Sequence, residues 1–472
     1  MLKTRGPTGT QPLPRSSYVR SGRRGATLAG PENRPPTHPR LGSVNAVREV
    51  LGIGTYRRFL AAAVFSGVAL WIFQTALYWS SLQSGSTETV GILLAVLTLP
   101  SLLLTIPAGY LTDRVGSFWL LFIGQTAPAI ACTCGVALVA AGAGTIALGP
   151  AALVTVVVGA AYAMWNVPAL VYVTRVVPPR IMGTAISLMV LQYAAGRIIG
   201  GALGGVLVGV GGASLAFGVS AILFGLGALV VLALPKVAGL EGRSGSTLAG
   251  MVEAVRWLRL APATLALVVL GAVTSFVGYA YIPLLGALSR DVIGAGSGGL
   301  GLLTSTSGIG MFASALTANA VGVRLGRGRG LIVAMVLGAV TMAALGVSST
   351  LWLSVLLVMV VAYLGSTRSS LGSFLLQSLS PPRMRGRVAS LADFIGQMVS
   401  LVGSIAIGTL AVAWGPTAVL VAAGTFIVAM VGIVVLLWPR ILSLDVDREA
   451  HVVVGGRPYM EGQGVAAVLE TP

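Results

Sequence analysis

Residues 178–188 read PPRIMGTAISL, and residues 381–391 read PPRMRGRVASL. Both fit PPR-x-x-G-x-x-x-S-L at an offset of 203 residues. A weaker pair, GYLTDRVG at 109–116 and NAVGVRLG at 319–326, is offset by 210, and both copies end in Gly with an Arg two places before it. Two pairs at similar offsets argue for a chain built from two repeated halves.

Around these motifs the sequence is apolar. Of 472 residues, 56% are hydrophobic and 9% charged, and the mean hydropathy is +0.92. A soluble domain carries about 25% charged residues, so most of this chain is expected in lipid. Apolar runs long enough to cross a core about 30 Å thick fall near 58–82, 88–111, 118–141, 146–173, 183–208 and 213–234. A second set falls near 262–287, 298–321, 330–348, 351–374, 388–412 and 415–438. In each set the PPR motif opens the fifth run. The expected fold is an all-α membrane protein of twelve transmembrane helices in two pseudo-symmetric six-helix bundles. Its divisions are a basic, disordered tail over 1–57, a first bundle over 58–234, a linker over 235–261, a second bundle over 262–438 and a tail over 439–472. The halves run parallel, because each holds an even number of spans.

The net charge is +17, from 30 Lys and Arg against 13 Asp and Glu. In a soluble protein this would point to nucleic acid. Here the basic residues sort by side of the membrane instead. Eleven lie at or before Arg58, and with a cytoplasmic N-terminus 28 of the 30 face the cytoplasm. Only Arg290 falls on the far side and only Arg197 inside a span. Both termini are therefore expected in the cytoplasm, and nucleic acid is not an expected partner. The N-terminal stretch lacks the 7–15-residue apolar core of a secretory signal.

GYLTDRVG also carries a resemblance. It is similar to the G-x-x-x-D-R-x-G-[RK]-[RK] signature between helices two and three of the major facilitator superfamily. Gly109, Asp113, Arg114 and Gly116 match, while Ser117 and Phe118 replace the two basic residues. The resemblance implies that Asp113 and Arg114 help hold one transport state closed, and Gly109 is read as letting helix two approach its neighbour closely. In the second half Asn319 and Val323 replace the Gly and Asp, so such a latch rests on the first half. GRIIGGALGG at 196–205 resembles the superfamily's antiporter motif, G-x-x-x-G-P-x-x-G-G, through Gly196, Gly200, Gly204 and Gly205, with Gly201 in place of Pro. PALVYVTRVVPP at 168–179, PPRMRGRVASL and RDVIGAGSGGLGLL at 290–303 resemble the drug-exporter branch typified by macrolide and siderophore efflux proteins.

Charges inside spans are expensive and are default functional candidates. Arg197 lies about fourteen residues, roughly 21 Å of helical rise, into the fifth span; it suits an anionic substrate or an acidic partner, unless it snorkels outward. Asp393, a few residues into the eleventh span, suits coupling by protonation, capping near the cytoplasmic end, or pairing with an Arg such as Arg368. Gln397 is one turn away. Gln74, Tyr78, Asn166, Gln192 and Tyr279 complete the candidate set for substrate or coupling. An aromatic-lined cavity with few polar groups suits amphipathic small molecules.

The implied function is secondary active transport, as proton-coupled efflux of hydrophobic or amphipathic small molecules by alternating access. Alternatives are an uptake symporter for an anionic metabolite, which Arg197 would serve, and a non-transporting scaffold or receptor using the long tails. No enzyme, cofactor or metal is expected: there is no G-x-x-x-x-G-K-[ST], and His38 and His451 lie in the tails. Cys132 and Cys134, two apart on one run, point to opposite helix faces. The expected partners are the bilayer, a small molecule and protons, and the expected state is a monomer. With 64 Gly and only Lys3 and Lys236 as lysines, the codon bias and the likeness together point to a bacterial cytoplasmic membrane.

Overall fold

In the computed structural model the described residues are 44–85, 87–142, 147–236, 247–278, 281–381, 384–446, 452–454 and 457–458. The expected tail over 1–43, Tyr279, residues 237–246 of the expected linker, and 459–472 lie outside them.

The helices are α1 (Val44–Gly52), α2 (Gly54–Ser84), α3 (Thr87–Val115), α4 (Ser117–Ala141), α5 (Leu148–Val176), α6 (Met182–Leu232) and α7 (Thr247–Leu260). They continue as α8 (Pro262–Gly278), α9 (Tyr281–Ala287), α10 (Gly296–Leu325), α11 (Arg327–Val347), α12 (Leu351–Leu379) and α13 (Arg385–Leu437). Three short strands, β1 (Leu444–Val446), β2 (Val452–Val454) and β3 (Arg457–Pro458), form an antiparallel sheet in that order after the last helix.

Among the described residues, ten helical segments are long and apolar enough to cross a membrane. Two of these carry very long helices. α6 has 51 residues and α13 has 53, roughly 75–80 Å if straight, against a core of about 30 Å. Each is broken once. Gly211 and Gly212 interrupt α6, with φ 67° at Gly212. Gly415, at φ 79°, precedes Pro416 in α13. Glycine tolerates positive φ without a Cβ clash, and proline gives no amide hydrogen to continue the ladder. The chain turns there with almost no loop.

The repeat offsets recur in backbone geometry. Gly212 and Gly415 both have positive φ and lie 203 residues apart. Gly116 and Gly326, with φ 88° and 80°, lie 210 apart and begin α4 and α11. Helix pairing repeats as well. α3 packs on α5, and α4 on α5 and α6; correspondingly α10 packs on α12, and α11 on α12 and α13. Contacts between the halves run chiefly through α6 on α10 and α3 on α13.

Two expected boundaries shift. Residues 44–52, expected as tail, form α1, with Ala46 and Val50 buried on one face. Its Glu49 pairs with Arg180. The expected linker likewise holds α7, which buries Ala254, Trp257 and Leu258, and whose Glu253 pairs with Arg387. In both, apolar residues spaced three or four apart give a short amphipathic helix ahead of the first spanning helix of its half. Under the first half a cluster of Val50, Tyr56, Phe59, Leu121, Tyr172 and Val231 closes one end. The Tyr56 hydroxyl donates to the Ala185 carbonyl at 2.8 Å. Large apolar side chains cover the outer faces of the helices; Leu153 and Ile222 are 66% and 64% exposed. That surface suits lipid.

Candidate functional site

The first segment of α6 carries two glycine faces, and their separation builds the site. Gly196, Gly200 and Gly204 recur every four residues and face α2. A Cβ added to Gly196 would lie 2.9 Å from the Gly67 carbonyl carbon; at Gly200, 2.6 Å from the Val68 oxygen; at Gly204, 2.8 Å from Thr75 Cβ. Gly201 and Gly205, one residue on from two of these, face α10. A Cβ on Gly201 would lie 2.9 Å from the Ser305 nitrogen, and one on Gly205 2.8 Å from Gly301 Cα. Small residues permit such backbone approach. One motif thus joins helices within a half and also joins the halves.

The α3–α13 contact is built the same way. A Cβ on Gly91 would lie 2.6 Å from the Ser404 oxygen and 3.1 Å from Gly408 Cα. Gly286 packs against Leu82, and Arg290 donates to the Leu82 carbonyl while forming an ion pair with Asp291 at 2.6 Å. These crossings lie toward the helix ends near the Gly212 and Gly415 turns. The ion pairs at the opposite ends, Arg180–Glu49 and Arg387–Glu253, each stay within one half.

One cavity lies within the first half and another between the halves. One of about 420 Å³ lies among α2, α4, α5 and α6, walled by Phe59, Tyr162, Trp165 and Tyr193, with Ser66, Asn166 and Gln192 as polar points. Phe59 stacks on Trp165 at 5.8 Å between ring centroids. The other, about 220 Å³, is lined by Arg197 and Tyr193 of α6 and by residues of the second half, including Thr274, Tyr281, Met311 and Arg368. Tyr193 borders both.

The candidates separate on this map. Arg197 is 5% exposed and lies at the seam. Its guanidinium sits 4.3 Å from the Trp71 ring centroid. It donates to the Tyr281 hydroxyl and the Met311 sulfur, each at 3.4 Å. It does not snorkel, because the ring, hydroxyl and thioether hold it inside. Gln192 lines the larger cavity but uses its amide on the Ala63 carbonyl at 2.6 Å, in space that Gly67 leaves. Asn166 lines the same cavity. Gln74 and Tyr78 are buried on α2, where the Tyr78 hydroxyl donates to Gln74 Oε1 at 3.4 Å, and they line neither of these two cavities.

Asp393 is exposed, and Gln397 Nε2 donates to it at 2.8 Å. The two sit together one turn apart and line neither cavity. Asp113 and Arg114 are exposed at the end of α3; Arg114 reaches the Tyr110 hydroxyl at 3.4 Å. Gly116 supplies the turn into α4. Gly109 does not mark a tight crossing: a Cβ there would meet only Val167 Cγ1, at 3.9 Å. The close approach of α5 to α3 is at Gly159, against the Leu97 carbonyl.

Sequence reasoning missed Trp71 and Met311 as neighbours of Arg197. Nothing in sequence spacing links α2, α6 and α10. It also missed Gln125, fully buried in α4, which donates to the Ala62 carbonyl at 3.3 Å. A lone Gln in an apolar run was the available signal.

No curated relative matches the chain. Solved structures match at low identity and so indicate the fold. A nucleoside transporter, NupG, superposes with a TM-score of 0.65 at 14% identity, over 82% of this chain and 99% of that one. A bacterial homologue of the human lysosomal transporter Spinster, inward-facing and unoccupied, gives 0.61 at 17% identity, over 82% and 97%. A D-xylose–proton symporter gives 0.60 at 17%, over 79% and 97%. The family model described as "Transmembrane secretion effector" matches residues 50–455. With most of its length matched, the chain belongs to the transmembrane secretion effector family, membrane transporters of the major facilitator type.

Proposed function

We propose that the protein is a monomeric secondary active transporter of the cell membrane that exports hydrophobic or amphipathic small molecules in exchange for protons. In this reading α6 and α13 each cross the membrane twice. That makes twelve crossings in two six-helix bundles with both termini in the cytoplasm.

The observation that carries the reading is the seam. Backbone-close glycine crossings join the halves toward one end, beside an aromatic cavity of about 420 Å³. Backbone-close crossings with few side-chain bonds between the halves separate at modest cost, which suits rocking of the halves. In this reading the crossings lie at the outer end, which the distribution of basic residues supports. The state described here is then closed outward, and Asp113 and Arg114 stand at the open, cytoplasmic end, where they engage the other half when that end closes. The family's description as a secretion effector favours export. Asp393, held by Gln397, is the assigned proton-coupling acid.

The test is energised dye retention in an efflux-deficient bacterium. Cells expressing the protein should lose an amphipathic dye faster than empty-vector cells, and a protonophore should abolish the difference. Asp393→Asn should remove the protonophore-sensitive part with the protein still in the membrane. Dye accumulation instead of loss would replace export by uptake, and an Asp393→Asn variant with normal export would move the coupling elsewhere.

A further inference from the structure

We infer that the smaller cavity is an anion site, which takes the acidic head of an amphipathic substrate on Arg197. The word substrate rests on the export reading above; the binding does not. A buried guanidinium is costly unless compensated. Arg197 has no ion pair with a carboxylate among the described residues. It has a ring face, a phenol oxygen and a thioether, and its Nε has no acceptor. The Trp71 indole beneath it is also buried, and its Nε1 has no acceptor. The two donors sit on neighbouring groups, and of the two Arg197 lines the cavity. An anion in the cavity would supply the acceptor that the Arg197 Nε lacks.

The surrounding cavity agrees in sign. Arg368 is its second charged lining residue, and among the described residues no Asp or Glu lines it. Thr274 and Ser366 add hydroxyls. Met311, Met335 and Met342 give a wall that adapts to different apolar bodies. About 220 Å³ holds an acidic head with a short stem. Tyr193 borders the aromatic cavity too, which gives the body its place. Tyr193 and Arg197 belong to the first half, Tyr281 and Met311 to the second, and all four line the cavity. An anion between them contacts both halves in this state, and such a state-dependent contact is what allows a ligand to shift a conformational equilibrium.

The test uses the full chain in phosphatidylcholine nanodiscs and three probes with one body: pyrenebutyrate, pyrenebutanol and pyrenebutylamine. Binding is read by fluorescence anisotropy, with empty nanodiscs subtracted. Wild type should bind the acid about tenfold or more tightly than the alcohol, as expected of a charge-assisted hydrogen bond, and should bind the amine most weakly. Arg197→Gln should lose the preference while keeping its affinity for the alcohol, and Arg197→Lys should keep part of it. Tyr281→Phe, which removes one hydroxyl, should reduce the preference without endangering the fold. Phosphatidylglycerol in the disc distinguishes two sources of the anion. Competition with pyrenebutyrate identifies a lipid headgroup, and none identifies a water-borne anion; either supports the site. Equal binding of all three probes by wild type, or an undiminished preference in Arg197→Gln, overturns it. Proteoliposome flux separates the two readings. Acid preference without transport of any probe keeps the site and removes the export reading, whereas proton-driven export of the amine without acid preference does the reverse.

Discussion

Replacing Gly205 by Ala should loosen the seam without unfolding the protein. The added Cβ would lie 2.8 Å from both Gly301 Cα and the Ser297 carbonyl oxygen. Ordinary contact begins near 3.4 Å, so α6 and α10 must separate by about 0.6 Å locally. Overpacking of this kind costs roughly 1–3 kcal/mol. Alanine also favours helix over glycine by about 1 kcal/mol, but that gain applies to both conformations and cancels. The penalty falls only on the state in which the halves touch here, so the equilibrium should move about 5- to 150-fold toward the state in which this end is open. Nitroxides at Gln83 and Gly298, both exposed on opposite halves, would report it by pulsed electron resonance in a Cys132→Ser, Cys134→Ser background. A longer-distance population should grow. Gly204→Ala is the matched control. Its Cβ would lie 2.8 Å from Thr75 Cβ, within the same half. It should lower the melting temperature and leave the distances unchanged. If Gly205→Ala behaves like Gly204→Ala, the division of the motif into two faces is wrong.

Further expectations concern the two ends. Arg290→Ala removes the guanidinium from the Leu82 carbonyl at the end of α2. It should open that end by roughly 1 kcal/mol, about fivefold, on the same spin-label pair. Asp113→Asn should cripple transport while leaving protein in the membrane; normal transport would remove its gating role. Arg180→Ala and Arg387→Ala break exposed ion pairs. Each should cost no more than about 1 kcal/mol, and a large fall in the detergent melting temperature would show that α1 or α7 holds its half together.

Much of this architecture is legible in the sequence because lipid imposes it. Apolar runs of sufficient length must form helices that satisfy their own backbone, and the two repeat offsets reappear at Gly116 and Gly326 and at Gly212 and Gly415. The reading misplaced what depends on neighbours far along the chain. Gly109 matches a family motif yet sits in open contact, while Gly159, in no motif, makes the close crossing. Arg197 was visible as a charge in lipid. That it rests on Trp71 and reaches Tyr281 was not, because residues 126 and 84 positions apart have no periodicity to betray them.

The glycine turns have a consequence for how the chain enters the membrane. In the proposed orientation, the segments that must be carried across during insertion are the connections at Gly212 and at Gly415–Pro416 and their counterparts. The first two contain no charged residue and hardly any free peptide. A pair of apolar helices joined this tightly can enter lipid as one hairpin, with its amides already bonded. The hydrophilic parts, α1, α7 and the terminal strands, stay on the side of synthesis. The same compact turns that bring the helices together at the seam therefore spare the insertion machinery most polar cargo.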